Sequence, residues 1–392
     1  MLTRIINGIL VSDSQCKYGD LVFRDGKITT AAATDEKADC IIDAKNCYVC
    51  PGFIDIHTHG AGGYDYLDNT PEAFLGAAKM QASGGATTVV PTVTSSDTES
   101  MRKAIKTFEK VKKEYDTIIN MPGLHFEGPY FALSQRGAQD EKYVRPFNEK
   151  EYKGILDGTD SVIRWSAAPE LEGAEKFAAY MKEKNILASI GHSDAECTCA
   201  LKAFGDGFSH ITHLYSGMSS VHRKNGYRYA GIVEAAYLDD GVSVEIIADG
   251  AHLPPELLKL IVKIKGPAKV ALITDSMRAA GMPEGKSILG GLKNGLEVLV
   301  EDGVAKLLDR SAFAGSVALC NRLVRNMVQS AGVSVADAVR MMTQTPAEIM
   351  NFSSKGSLRH GYDADITILD KNFNVVTVIV SGKQVYSNAD LC

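Results

Sequence analysis

Two histidines in alternate positions end a mostly apolar run at residues 53–56. The run leads into His57-Thr-His59 and then into the glycine-rich turn 60–63. Residues two apart in a β-strand point to the same side. His57 and His59 therefore present two imidazoles from one strand end, which suits zinc or another divalent ion with nitrogen and oxygen ligands. A strand with one buried, hydrogen-bonded histidine is the alternative interpretation.

Further residues of metal-binding or acid–base type follow apolar runs along the chain. Each lies at the end of a candidate strand, and together they are His125, Glu127, His192, His210, His213, Asp249, His252 and Asp275. Histidine nitrogens and carboxylate oxygens are common zinc ligands. Each residue alone could be structural, but their shared placement predicts one metal site.

Apolar strands alternate with helical stretches in the middle of the chain, a pattern typical of a parallel sheet. We expect strands at 52–57, 87–93, 118–125, 162–168, 186–191, 207–212, 242–248 and 269–274. Helices are expected at 71–83, 98–115, 170–184, 195–204, 254–263, 317–331 and 334–342. Eight strands with interleaved helices predict an α/β fold, a (β/α)8 TIM-like barrel whose strand ends carry the polar residues on one face. A doubly wound open sheet is the alternative, but no GxGxxG turn follows any of these strands.

Both ends of the chain are rich in short β-type runs. In the first 50 residues these runs are separated by the hairpin signals Asn7-Gly8 and Asp25-Gly26. We predict that 1–50 and 356–392 pair into one small β-sandwich domain, with 51–355 as the barrel domain. Glycine-containing turns within 287–310 predict an inserted hairpin lid over the barrel.

Composition excludes several classes of protein. The 45% hydrophobic and 23% charged fractions are ordinary for a globular protein, and the net charge of −6 comes without a basic cluster interleaved with aromatics, which argues against nucleic-acid binding. No apolar run reaches about 18 residues, and the first 14 residues show no secretory signal. We therefore expect a cytoplasmic protein with no membrane partner. Its eight scattered cysteines, Cys392 included, are expected to be reduced thiols.

The order of the motifs resembles one known family. The motifs are Pro51-Gly-Phe-Ile-Asp-Ile-His-Thr-His-Gly60, His125-Phe-Glu-Gly-Pro129, Gly191-His-Ser193, Thr212-His-Leu-Tyr215, Ala248-Asp-Gly-Ala-His252 and Ile273-Thr-Asp275. Together they resemble the amidohydrolase superfamily and, more closely, the N-acetylglucosamine-6-phosphate deacetylases, over nearly the full length. The resemblance implies a main divalent ion on Glu127, His192 and His213. It also implies that His57 and His59 can hold a second ion, with Asp275 in the same metal set. Zinc is the first choice, with Fe²⁺, Mn²⁺, Co²⁺ and Ni²⁺ as alternatives.

The fourth predicted strand departs from many members of the superfamily. It reads Arg164-Trp-Ser-Ala-Ala-Pro-Glu170, whereas many relatives carry there a carbamylated lysine that bridges two metals. Glu127 would take the bridging role. This departure favours the deacetylase branch over the dihydroorotase and hydantoinase branches.

The residue types fit hydrolysis of an amide. A bound divalent ion can lower the pKa of its water from about 15.7 to about 7 and polarise the carbonyl oxygen. Asp275, ionised at an ordinary pKa of about 3.9, can take the proton as general base and return it to the leaving amine. A capping carboxylate is the alternative role for Asp275. His125 and His210 are expected to be hydrogen-bonded supports and not ligands.

Substrate contacts follow from the resemblance alone. It implies contacts at His252, Ala138, Gln139, Ser216, Gly217, Phe313, Ala314 and Gly315. Many relatives have a histidine at position 139, and glutamine can donate a hydrogen bond but cannot titrate. The usual asparagine is Ser216 here, which removes an amide that would help to hold phosphate.

A phosphate-binding arginine is expected in the loop that follows. The candidates are Arg223, Lys224 and Arg228, with Arg228 preferred. In relatives this arginine often reaches into the neighbouring subunit, which predicts a homodimer. A solvated basic loop is the alternative.

The sequence therefore predicts a metal-dependent hydrolase that deacetylates an N-acetyl amino sugar phosphate. The first choice is N-acetyl-D-glucosamine 6-phosphate, giving D-glucosamine 6-phosphate and acetate. Alternatives are N-acetylgalactosamine 6-phosphate and another N-acyl or cyclic amide. A non-catalytic sugar-phosphate sensor is a more remote alternative.

Overall fold

Eight parallel strands form a barrel at the centre of the protein. In the computed structural model, which describes residues 1–12, 15–29 and 37–388, the barrel strands are Phe53–Thr58, Ala86–Thr94, Leu124–Glu127, Val162–Ala167, Leu187–Ile190, His210–Ile211, Ser243–Ile246 and Val270–Leu272. The ring closes where the Asp275 backbone N–H donates to the His57 carbonyl oxygen at 2.9 Å and Thr58 bridges to Ser276. The predicted (β/α)8 barrel is confirmed.

Burial explains why the barrel strands are so apolar. Parallel strands are covered on both faces and therefore lack a polar alternation. Every residue of Phe53–Thr58 and of Ser243–Ile246 is buried. The third strand, Leu124–Glu127, begins and ends later than the predicted 118–125, so that Glu127 lies on the strand together with His125.

Helices connect the strands and pack around them. They are Pro71–Ser83, Thr98–Glu114, Glu149–Ile155, Ala174–Glu183, Cys197–Asp206, Ile232–Leu238, Pro255–Lys265, Cys320–Gln329, Val335–Met342 and Gln344–Ile349, with 3₁₀ turns at Tyr66–Asp68, Leu133–Gln135 and Glu141–Tyr143. Side chains cap the N-termini of several of these helices. Asp97, for example, accepts a hydrogen bond from the backbone N–H of Ser100 at the start of Thr98–Glu114. Glu149–Ile155, Ile232–Leu238 and Gln344–Ile349 were not predicted, because helices of six or seven residues are too short to show a clear period.

The two ends of the chain share an eight-stranded sheet. Its strands are Leu2–Ser12, Gln15–Arg24, Lys27–Thr29, Cys40–Asp43 and Tyr48–Pro51 from the first part of the chain, and Ile366–Leu369, Val375–Val380 and Lys383–Ser387 from the last. Ile366–Leu369 lies antiparallel to Tyr48–Pro51. Residues from both ends, among them Ile5, Val49 and Ile379, pack into one cluster. The strand-rich domain built from both termini is confirmed.

One predicted hairpin in this domain is wrong. Asn7 and Gly8 lie inside Leu2–Ser12, at a β-bulge in its pairing with the next strand. Asn7 has φ 56°, a left-handed conformation that asparagine tolerates better than most residues. Asp25 and Gly26, by contrast, form the predicted tight turn, with φ values of 48° and 79°.

A four-stranded antiparallel sheet, here called the lid sheet, follows the eighth barrel strand. Its strands are Gly285–Leu289, Leu296–Glu301, Val304–Leu307 and Phe313–Ser316. It is larger than the hairpin predicted at 287–310, because Phe313–Ser316 adds a strand. Ser316 N donates to the Asp275 carbonyl oxygen at 2.8 Å, which ties the lid sheet to the barrel.

Smaller features complete the described structure. Two-stranded sheets join Gly60–Ala61 to Tyr64–Asp65 and His222–Lys224 to Tyr227–Tyr229. None of the described cysteines forms a disulfide bond, and Cys392 lies outside the described residues. Across the described ranges, no helix combines the length and the apolar character needed to cross a bilayer.

Candidate metal centre

Glu127, His192 and His213 meet at the carboxyl end of the barrel. Glu127 Oε1 lies 3.1 Å from His192 Nε2 and 2.9 Å from His213 Nε2. Glu127 ends the third barrel strand, and the two histidines follow the fifth and sixth strands. All three side chains are buried. One carboxylate and two imidazoles around a common point form a donor set that fits a divalent ion.

A second group, His57, His59 and Asp275, lies beside the first. Asp275 Oδ1 is 3.3 Å from His57 Nε2 and 3.2 Å from His59 Nε2. His59 Nε2 is also 3.2 Å from Glu127 Oε2, so the Glu127 carboxylate turns one oxygen towards each group. His57 Nε2 is buried and has no hydrogen-bond partner among the described residues. Buried polar atoms are normally paired, so this nitrogen is the kind of atom that a metal ion would engage.

Backbone carbonyls orient the histidines of the first group. Nδ1 of His192 lies 2.8 Å from the Gln135 carbonyl oxygen, and Nδ1 of His213 lies 3.1 Å from that of Ser216. A carbonyl oxygen only accepts, so both rings carry their proton on Nδ1. Their Nε2 lone pairs therefore face Glu127, as metal-binding histidines require.

The backbone at the site adopts uncommon conformations. His192, His213 and Asp275 have φ values of 47°, 27° and 46°, in the left-handed region that costs non-glycine residues about 1–3 kcal/mol. Gly217 has φ 58°, and a Cβ there would lie 2.8 Å from His192 Nδ1. Strain of this kind clusters at functional sites.

Buried carboxylates give the site a negative field. Burial raises the pKa of Glu127, but the histidines around it, His57 above all, hold it well below its ordinary value. Burial lowers the pKa of His57, yet the carboxylates around it raise that pKa to about 9; they belong to Glu245, Asp275 and Glu127. A divalent cation fits this concentration of ionised carboxylate oxygens beside imidazole nitrogens.

A cavity of about 290 Å³ opens over both groups. Of the predicted substrate residues, the ones that line it are His252, Ala138, Gln139, Ser216, Gly217, Phe313 and Gly315. His252 Nδ1 lies 2.9 Å from Asp249 Oδ2, and its ring is 4.8 Å from that of Phe313. Thr94, Tyr215 and Leu289 also line the cavity. Sequence reasoning missed Thr94 and Leu289, because apolar or hydroxyl residues near strand ends carry no chemical signal.

Four predicted substrate residues lie outside this lining. Ala314 is buried in the core of the lid sheet. Arg223, Lys224 and Arg228 lie on the exposed hairpin formed by His222–Lys224 and Tyr227–Tyr229. Lys224 Nζ is 3.7 Å from Glu196 Oε1. The phosphate role of this hairpin stays a prediction.

Gln139 contacts protein groups inside the cavity wall. Its Nε2 donates to Glu127 Oε2 at 2.8 Å. Its amide oxygen accepts from Thr94 Oγ1 at 2.7 Å and from Ser95 N at 3.0 Å. Gln139 therefore fixes the Glu127 carboxylate, whatever contact it also makes with a substrate.

His125 and His210 are paired on both ring nitrogens. His125 lies 2.7 Å from Ser166 Oγ and 3.2 Å from Thr92 Oγ1. His210 lies 2.8 Å from Ser243 Oγ and 3.3 Å from Glu245 Oε2. Both rings therefore lack a free lone pair for a metal ion.

Comparisons with known proteins agree with this geometry. The profile of the Amidohydrolase family matches residues 48–385. The chain is 29% identical over 382 residues to an N-acetylglucosamine-6-phosphate deacetylase of Bacillus subtilis, covering 95% of this chain and 94% of the relative. It is 29% identical over 375 residues to an N-acetylgalactosamine-6-phosphate deacetylase of Escherichia coli O157:H7, covering 95% of each chain.

A solved structure shares the fold. It is a mutant N-acetyl-D-glucosamine-6-phosphate deacetylase from Mycobacterium smegmatis, in complex with N-acetyl-D-glucosamine-6-phosphate. It superimposes with a TM-score of 0.88 at 27% identity and covers 99% of each chain. From the family profile, the full-length relatives and the shared fold, the chain belongs to the amidohydrolase family and, within it, groups with the N-acetylglucosamine-6-phosphate deacetylases.

Proposed function

We propose that the protein removes the acetyl group of N-acetyl-D-glucosamine 6-phosphate, giving D-glucosamine 6-phosphate and acetate. The observation that carries the proposal is the convergence of Glu127, His192 and His213 on one point, with Asp275 beside it in the same cavity. The relatives and the Mycobacterium smegmatis complex support the same substrate.

In this proposal Glu127, His192 and His213 hold the main ion, and His57, His59 and Asp275 can hold a second. Zinc suits this nitrogen and oxygen set, with Fe²⁺, Mn²⁺, Co²⁺ and Ni²⁺ as alternatives. When bound, the ion supplies a Lewis acid that acidifies water and polarises the amide carbonyl oxygen.

Asp275 moves the proton. Burial raises its pKa, but His57 and His59 outweigh that effect and keep the pKa below its ordinary value, so the carboxylate is ionised. It accepts a proton from the water that attacks the carbonyl carbon. It then returns this proton to the amide nitrogen as the carbon–nitrogen bond breaks, so that the amine leaves neutral.

The cavity wall positions the sugar. His252, Ala138, Gln139, Ser216, Gly217, Phe313 and Gly315 line the cavity and are the proposed contacts, with Ala314 supporting this wall from the lid-sheet core. We assign the phosphate to the basic hairpin, with Arg228 ahead of Arg223 and Lys224. Since this hairpin lies outside the cavity of its own subunit, the assignment needs a homodimer in which it reaches the neighbouring cavity.

A second substrate has a specific observation in its favour. The Escherichia coli relative, as similar to this chain as the Bacillus subtilis one, is an N-acetylgalactosamine-6-phosphate deacetylase. We therefore keep N-acetylgalactosamine 6-phosphate as the second candidate. The domain limits 1–50 with 356–392 and 51–355, and the cytoplasmic location, also stand as predictions.

Acetate release tests the proposed function. Purified protein would be assayed with both 6-phosphorylated N-acetylhexosamines and with their unphosphorylated forms, beside elemental analysis of the bound metal. We expect the highest kcat/KM on N-acetyl-D-glucosamine 6-phosphate, loss of activity on chelation and recovery on adding metal. No acetate from any of the four sugars, with metal bound, would refute the proposal.

A further inference from the structure

A buried ion pair lies in the barrel interior behind the metal-binding residues. Arg164 on the fourth strand and Glu245 on the seventh are both 0% exposed, and Arg164 Nη1 lies 2.6 Å from Glu245 Oε2. Neither residue lines the cavity. A buried pair is weak evidence for stability, because removing two charges from water offsets much of their attraction. Its position next to the metal-binding residues therefore calls for a functional explanation.

Glu245 touches both groups of metal-binding residues. Its Oε1 lies 2.7 Å from His57 Nδ1 and accepts the backbone N–H of His213 at 3.1 Å. Arg164 pairs with the other carboxylate oxygen, Oε2, at 2.6 Å, so Glu245 serves as the ionised partner of a buried ion pair. An ionised carboxylate only accepts, so His57 carries a proton on Nδ1 in this contact. Its Nε2, which is buried and unpartnered among the described residues, faces Asp275.

Arg164 braces the residues that precede two of the ligands. Its guanidinium donates to the Ile56 carbonyl oxygen and to Thr212 Oγ1, both at 3.1 Å. Ile56 immediately precedes His57, and Thr212 immediately precedes His213. Arg164 also donates to Ser189 Oγ at 3.1 Å, on the fifth strand. One side chain thus links the fourth strand to the strand ends from which metal-binding residues project.

We propose that Glu245 is a positioning residue for the metal site, fixing His57 so that Nε2 faces the ion. Arg164 in turn holds the Glu245 carboxylate in place. This inference rests on the proposed metal-binding role of His57 and His213. It does not depend on which sugar the enzyme accepts.

Two double variants separate positioning from packing. Arg164→Met with Glu245→Gln removes both charges but keeps an amide oxygen that can accept a hydrogen bond from His57 Nδ1–H. Arg164→Met with Glu245→Leu removes the charges and the acceptor together. Substitution of a group that orients a metal-binding histidine typically weakens metal affinity about 10- to 100-fold. We expect the leucine variant to raise the Kd for Zn²⁺ by about that factor, and the glutamine variant to stay within about threefold of the wild type.

Metal affinity would be measured by competition with a coloured chelator, without any sugar, beside the thermal unfolding midpoint of each metal-free protein. The matched control is Arg145→Met with Glu151→Leu, a less buried ion pair on the outside of the barrel, which should leave the Kd unchanged. If the leucine variant binds Zn²⁺ like the wild type, or if both variants lose affinity equally, the proposal is wrong. A wild-type protein that binds metal but releases no acetate would refute the proposed function and leave this inference standing.

The wild-type protein provides a test that does not depend on how the variants fold. Histidine ¹⁵N NMR of the zinc-loaded protein, assigned with His57→Asn, should show His57 protonated at Nδ1 and metal-bound at Nε2. Metal bound through Nδ1 would overturn the proposal.

Discussion

The metal centre and the basic hairpin differ in what fixes their residues. Glu127 lies on a barrel strand, and His192 and His213 follow two others. All three side chains are buried, and the Nε2 atom of each histidine lies within 3.1 Å of Glu127 Oε1. Arg223 and Arg228 face each other across a two-stranded hairpin that is exposed at every strand residue except the half-buried Tyr229. The carboxyl ends of barrel strands converge on one face, so the residues there have fixed neighbours. The contacts of an exposed hairpin depend instead on the molecule that lies opposite it. The fold thus fixes the positions of the candidate metal-binding residues, whereas the role of the hairpin in substrate choice stays a prediction.

The largest effect is expected at the centre. Asp275→Asn removes the proton acceptor without changing the shape of the side chain, so kcat should fall about 10²- to 10⁴-fold. Elemental analysis should still find bound metal, because Glu127, His192 and His213 are unchanged. A near-wild-type kcat would show that another group accepts the proton.

A matched pair of glycines sharpens the comparison. Gly217→Ala places a Cβ 2.8 Å from His192 Nδ1 at φ 58°, so it should disturb a metal-binding ring and weaken metal binding about tenfold. Gly226→Ala, in the hairpin, has φ 86° but no atom within 4 Å. It should cost only the backbone strain, about 1 kcal/mol of stability. Chelator competition measures the metal affinity of both variants, and thermal unfolding measures their stability. Equal metal affinities of the two variants would contradict this prediction.

A smaller effect is expected at the hairpin. Arg228→Ala should raise KM for a phosphorylated sugar about tenfold, the loss of one charge-assisted contact, and leave kcat nearly unchanged. The unphosphorylated sugar is the internal control, and Arg223→Ala tests the residue opposite. An equal rise in KM for both sugars would rule out a phosphate contact.

The smallest effect is expected at the rim of the cavity. Phe313 is 40% exposed and contacts His252. Phe313→Ala should raise KM only about threefold, and equally for phosphorylated and unphosphorylated sugars, because partly exposed contacts contribute little. Steady-state kinetics on both sugars measure it. A selective effect on the phosphorylated sugar would move the phosphate site to the lid sheet.

The sequence predicts the barrel and the convergence of Glu127, His192, His213 and Asp275 because two general rules suffice. Apolar runs alternating with helices indicate a parallel barrel, and residues just after such runs reach one face. The bulge at Asn7 was missed because the same dipeptide serves a hairpin or a bulge, and only the pairing of distant strands decides between them.

Arg164 and Glu245 show the limit of sequence reasoning. A charged residue inside an apolar run gives no sign of its partner, and these two are brought together only by barrel closure. The position of the hairpin relative to the cavity also depends on tertiary contacts that no local pattern encodes. Gln139 was predicted as a substrate contact, and its bond to Glu127 became visible only in three dimensions.

The seam between Tyr48–Pro51 and Ile366–Leu369 has a consequence for biosynthesis. Strand Tyr48–Pro51 leaves the ribosome early, while its neighbour emerges only after residues 52–365 have been made. Domains generally fold as units during translation, so this edge must wait for the last part of the chain. A chain that stops before residue 366 would present that open edge to other nascent chains, which makes premature termination a route to aggregation.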